Sequence, residues 1–166
     1  KVELPKVRFS IGESAFFDCE NLTEVDFGEA VSIGDYAFAS TGIIDVVIPE
    51  SVSYIGESAF SYCKKLKSVI IKGSEYTVPA FCFLGCEKLE KAELGEKTEM
   101  IGTLAFRDCK SLTEIYLPDS VQAIYNQAFQ DSGLEKIRVS GNFREISIYA
   151  FKNAPLKEFY YDSTPE

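Results

Sequence analysis

"IGESAF" occupies residues 11–16 and returns letter for letter at 55–60, with "IGDYAF" at 33–38 between them. Copies 22 residues apart describe a structural unit better than a chemical motif used twice. The series continues as "VPAFCF" (78–83), "IGTLAF" (101–106), "IYNQAF" (124–129) and "ISIYAF" (146–151). Its anchoring phenylalanines are Phe16, Phe38, Phe60, Phe83, Phe106, Phe129 and Phe151, spaced by 22 or 23 residues. Seven copies fill the chain, which therefore reads as one domain over residues 1–166.

The remainder of the unit repeats too. "CENLTEVDF" begins at the third place after Phe16, and "CKKLKSVII", "CEKLEKAEL" and "CKSLTEIYL" hold the same place in later copies. Apolar residues fall as L-x-x-V-x-L, and the strict alternation at the end predicts a short strand with one face buried. Three copies are one residue shorter: "STGIIDVVI", "DSGLEKIRV" and "NAPLKEFYY". Each lacks the cysteine and carries Thr-Gly, Ser-Gly or Ala-Pro, residues suited to a tighter corner.

A unit of this length cannot bury its own apolar residues, whereas stacked coils cover one another along a continuous core. Ile, Ala and Phe of the hexapeptide are expected to face Leu and Val of the strand across a narrow interior. "ESAFFDC" leaves space for no more than a helical or 3₁₀ turn. Parallel strands about 4.8 Å apart give seven coils a length of about 30 Å.

The stretch "AFRDCKSLTEIYLPDSVQAI", and the unit "IGESAFSYCKKLKSVIIKGSEY", resemble the BspA-like class of leucine-rich repeat, whose signature is A-F-x-x-C-x-x-L-x-x-I-x-L-P-x-x-V-x-x-I-G. The likeness covers essentially the whole chain. Departures are local: Pro79, Tyr125 and Ser147 replace the glycine of the hexapeptide. The resemblance implies an α/β-type leucine-rich-repeat solenoid, a right-handed stack of seven coils. Each coil would carry one short parallel strand and, opposite it, a short helical or 3₁₀ turn.

Val2, Leu4 and Pro5 match Ile115, Leu117 and Pro118, so the chain is expected to open on the strand of a preceding coil. It closes on "FYYDSTPE" just after the seventh strand, and solenoids need polar caps. A fragment, or a mature form, of a longer protein is the expected reading.

Net charge is −9, from 26 acidic and 17 basic residues. Nucleic-acid binding needs a basic footprint, and an anionic membrane surface disfavours such a chain. Lys64, Lys65, Lys67 and Lys72 cluster on one coil, where solvated surface accounts for them. No run of 18 apolar residues marks a membrane span, so no membrane insertion by this segment is expected.

Chemistry is poorly served. The absence of His removes Ser–His–Asp and Cys–His catalysis and the usual zinc ligands. No phosphate-cradling glycine loop appears, and the carboxylates sit on exposed places of the repeat. We expect no enzyme, no cofactor and no metal site. Cys19, Cys63, Cys86 and Cys109 share one place in the unit, and Cys82 takes the place of the motif Ala. Equivalent places form a line rather than a point, which suits small apolar fillers. Disulfides between adjacent coils (63, 86 and 109) and a metal site are the competing readings. Asn21-Leu22-Thr23 fits a glycosylation acceptor, but Leu22 is also an expected core residue.

Outward strand positions are free of the core's demands. One column reads Glu24, Asp45, Ser68, Lys91, Glu114, Lys136, Glu158, a charge ladder with alternating signs over its last four members. The next reads Asp26, Val47, Ile70, Glu93, Tyr116, Arg138, Tyr160. Val47, Ile70, Tyr116, Arg138 and Tyr160 have the composition of interface anchors, although β-propensity alone also favours Val, Ile and Tyr there. The resemblance implies a non-catalytic interaction or adhesion module of a bacterial surface or secreted protein. Its location would be extracellular or at the cell surface, and its partner a host extracellular-matrix or cell-surface protein. The competing expectation is a structural spacer or stalk that displays other domains of the parent chain.

Overall fold

The computed structural model describes residues 1–73 and 77–162. Among the described residues the chain forms short strands and no helix. In order they are β1 (Val2–Glu3), β2 (Phe9–Ile11), β3 (Val25–Asp26), β4 (Ala30–Ile33), β5 (Asp45–Ile48), β6 (Tyr54–Ile55) and β7 (Ser68–Ile71). There follow β8 (Thr77–Val78), β9 (Lys91–Glu93), β10 (Met100–Ile101), β11 (Glu114–Tyr116), β12 (Ala123–Ile124), β13 (Lys136–Ser140), β14 (Glu145–Ile146) and β15 (Glu158–Asp162).

The alternating L-x-x-V-x-L stretch makes the expected parallel sheet. Six strands run β5-β7-β9-β11-β13-β15, while β3 pairs with β1 in a separate two-stranded sheet. Each coil adds a second strand, ending on the first residue of the hexapeptide. These strands form the parallel sets β2-β4-β6 and β8-β10-β12-β14, in which Ile33 pairs with Ile11 and Ile55, and Ile101 with Val78 and Ile124.

The hexapeptide itself lies between the two sheets, and its phenylalanines form the spine of the interior. Phe38, Phe60, Phe83, Phe106 and Phe129 are fully buried. Their rings stack nearly parallel, with centroids 5.5, 5.8, 5.3 and 5.4 Å apart along the series. Phe16 and Phe151 end the stack, 5.0 and 5.6 Å from their neighbours, and are half-buried because each is covered on one side only. Leu66, Leu89, Leu112 and Leu134 of the strand segment close the core from the far side.

The turns that were expected to be helical are built differently. Two residues per coil take positive φ, Ser58 and Tyr62 in one copy, Leu104 and Asp108 in another. Every second N–H then leaves its own coil: Phe60 N donates to the Cys82 carbonyl and Phe106 N to that of Ala128, at 3.0 and 2.8 Å. The intervening N–H groups close tight turns, as Ser61 N does on the Ser58 carbonyl at 3.0 Å. A 3₁₀ helix keeps all such bonds within its own coil. Sharing them between coils repays left-handed backbone that costs about 1–2 kcal/mol per residue.

Two of the three shortened copies have glycine at the corner for a steric reason. A Cβ at Gly42 would stand 2.1 Å from the Glu20 carbonyl oxygen, and one at Gly133 2.2 Å from that of Lys110. Losing a residue has drawn the corner against the preceding coil. Gly133→Ala is expected to lower the unfolding free energy by about 1–3 kcal/mol. Gly12→Ala, with nothing within 4 Å, should change it by less than about 0.5 kcal/mol. Urea titrations of the two variants read the contrast; equal losses would mean that the close approach relaxes freely.

Candidate functional site

Parallel pairing brings the second outward column into one continuous row. Val47 pairs with Ile70, Ile70 with Glu93, Glu93 with Tyr116, Tyr116 with Arg138 and Arg138 with Tyr160. All five residues singled out from the sequence thus lie on one face of the six-stranded sheet. Asp26, on β3, stands in the separate sheet beside Glu3. Val47, Tyr116 and Tyr160 are 47%, 58% and 53% exposed, Arg138 is exposed and Ile70 is half-buried. Along most of the row the inner neighbour is core: Val46, Val69, Ala92, Ile115 and Ile137 are buried, whereas Phe159 beside Tyr160 is exposed. The pleat therefore pushes large side chains of the row into water by the same alternation that fills the interior.

Tyr160 is held at its polar end. Its hydroxyl donates to the Glu158 carboxylate, whose other oxygen meets Lys136 Nζ at 3.2 Å. The Tyr160 hydrogen bond and then the Lys136 one draw the Glu158 carboxyl below its usual range, and the same bond to Glu158 raises the Tyr160 phenol. Here an ion pair of the charge ladder forms between strands as expected. Lys91 turns instead to Glu93 on its own strand, and Ser68 Oγ donates to Asp45 Oδ1 at 2.6 Å.

The four lysines of the third coil are exposed. Lys64 and Lys65 border a notch of about 370 Å³ across the shortened second coil, whose opposite wall carries Asp18 and Glu20. Carboxylates facing them keep this from being a basic patch. Among the described residues no three His, Cys, Asp or Glu side chains converge as a metal ion requires, and no helix is long and apolar enough to cross a membrane.

The five cysteines are free thiols, and Cys63, Cys82, Cys86 and Cys109 are buried. Cys19 is exposed, contrary to the filler reading. The others of its column do more than fill. Cys63, Cys86 and Cys109 donate their S–H groups to the carbonyls of Phe38, Phe60 and Phe83, each in the preceding coil, at 3.1–3.2 Å. In two of the three shortened copies a hydroxyl takes that place: Thr41 and Ser132 donate to the carbonyls of Phe38 and Phe129 in their own coils, at 2.9 and 2.8 Å. Nothing in the spacing announced these bonds; the cue available was that Thr and Ser alone substitute for Cys beside the corner glycine.

Comparison with known proteins agrees with this architecture. The model of the BspA type leucine-rich repeat region matches residues 1–78 and 76–165, in six copies. A leucine-rich repeat protein from Eubacterium ventriosum is 23% identical with a TM-score of 0.82, over 96% of this chain and 45% of that one. Another, from Bacteroides ovatus, is 25% identical with a TM-score of 0.71, over 96% and 53%. A leucine rich cell surface protein from Faecalibacterium prausnitzii superposes with a TM-score of 0.51 at 19% identity, over 98% and 59%. The chain spans about half the length of the first two of these structures. No curated protein matches it. With the stacked phenylalanines, the parallel sheets and a family model matching both halves of the sequence, the chain belongs to the BspA-type leucine-rich repeat family.

Proposed function

We propose that this solenoid is a non-catalytic protein-interaction module of a bacterial surface or secreted protein, and that its partner docks on the six-stranded face. One observation carries the reading: Val47, Ile70, Tyr116, Arg138 and Tyr160 form a single registered row, apolar or aromatic at four positions and largely exposed. Tyr offers much contact area at low entropic cost and Arg offers a planar fork, which is why both are enriched among binding hot spots. Similarity to a cell-surface leucine-rich protein supports a location outside the cell. A matrix or cell-surface protein of a host is the corresponding partner.

The test is a binding screen of the chain against extracellular-matrix proteins, followed by Tyr116→Ala with Tyr160→Ala. Binding should weaken by about 2 kcal/mol or more, roughly thirtyfold. The melting temperature should hold, since both rings are more than half exposed. Unchanged affinity in the double variant retires the row and favours a spacer that displays other domains.

A further inference from the structure

Resting on that reading of the sheet face, we infer that the partner docks by presenting an arginine side chain to the depression between β9 and β11. The depression has a volume of about 640 Å³, and its lining includes Glu90, Glu93, Glu96 and Glu114. Against these four carboxylates stands one ammonium, Lys91, already paired with Glu93. Leu94, almost fully buried, supplies an apolar floor, and Tyr116 stands on the wall with its ring exposed. On the other side of β9 a second depression, of about 580 Å³, shares Glu93, Leu94 and Glu96 and adds Ile70, Glu50 and two ammonium groups, Lys72 and Lys97. The excess of negative charge therefore lies on the β11 side of β9, beside Tyr116.

Three features select the occupant. First, the carboxylates are spread along the depression rather than aimed at one point, and no metal-type convergence exists among the described residues. A delocalised organic cation satisfies such a layout, where a divalent ion does not. Second, the exposed phenol ring beside the acids favours guanidinium, which stacks on aromatic faces while forking to carboxylates. Third, the chain's charge of −9 draws a cationic partner toward it and repels an anionic one. An arginine flanked by small polar residues can reach both the ring and the carboxylates.

The probes are the pentapeptide Ac-Ser-Arg-Ser-Arg-Ser-amide and its citrulline counterpart, equal in shape but uncharged, titrated into the ¹⁵N-labelled chain. The arginine peptide should shift amides of residues 90–96 and 113–116, and its affinity should fall as salt is raised. Glu93→Gln with Glu114→Gln should weaken it about tenfold or more. Glu13→Gln with Glu57→Gln, the same charge change on the exposed turn side, should leave it unchanged. Equal loss in both pairs, equal binding of the citrulline peptide, or shifts confined to another face each overturn the inference. A matrix protein lost by Tyr116→Ala/Tyr160→Ala yet retained by Glu93→Gln/Glu114→Gln overturns the cationic preference alone and leaves the row standing.

Discussion

Phe83→Ala lowers the unfolding free energy by about 3–5 kcal/mol, equivalent to about 6–20 °C in melting temperature for a chain of this size. Phe83 is the middle of the stack, with no exposed surface and ring neighbours at 5.8 and 5.3 Å. Truncation removes buried area and leaves a void whose walls are the Phe60 and Phe106 rings, each locked by its own coil. Backbone bonds prevent collapse: Phe83 N donates to Ala105 O at 2.9 Å and Phe60 N to Cys82 O at 3.0 Å, holding the coil spacing whatever the side chain. Phe151→Ala supplies the contrast. That ring is half-buried, stacked on Phe129 alone and touched edge-on by Phe159 at 6.3 Å. Its loss should cost about half as much, since about half the area leaves water on folding. Urea unfolding followed by circular dichroism compares the two. Similar losses would mean that stability does not come from a continuous stack and that the ends matter as much as the middle.

That stack was legible because repetition multiplies the signal: a Phe at a constant offset in seven copies has one structural explanation. The row from Val47 to Tyr160 was legible for the same reason, since equal offsets from equivalent phenylalanines become equal registers in a parallel sheet. The second strand of each coil escaped notice because two to four residues, most often two as in Met100–Ile101, show too little alternation to detect. The turn conformation escaped because positive φ falls on Phe81 and Leu104 as well as on Asp108 and Asn153. Only the second of these two turn positions carries the Asp and Asn that tolerate it. The acidic depression between β9 and β11 depends on how the segment after β9 passes its neighbours, which no single repeat encodes.

Alkaline solution should unfold the chain through its buried thiols. Burial pushes the Cys63, Cys86 and Cys109 thiols above their ordinary value of 9.0, so in the folded state they keep their protons. In the unfolded chain the same thiols ionise from about pH 8.5. Above that pH the unfolded state binds fewer protons than the folded one, and the unfolding free energy falls as pH rises. Stability is therefore complete below about pH 8 and is lost upward through the window where only the unfolded thiols are charged. Each thiol contributes a slope of about 1.4 kcal/mol per pH unit, and the three together about 4. Ionisation would also break the S–H bonds to the Phe38, Phe60 and Phe83 carbonyls, setting a thiolate against an acceptor oxygen at 3.1–3.2 Å. Ser132 already bonds the Phe129 carbonyl at the equivalent corner, so Cys86→Ser preserves a donor while removing one titrating group. Its urea midpoint between pH 7 and 11 should decline with a slope shallower by one proton. The triple variant Cys63→Ser/Cys86→Ser/Cys109→Ser should be shallower by three. Tyrosine and lysine titrations are common to all the proteins and cancel, so parallel alkaline limbs in wild type and triple variant would show that the thiols reach solvent before the fold is lost.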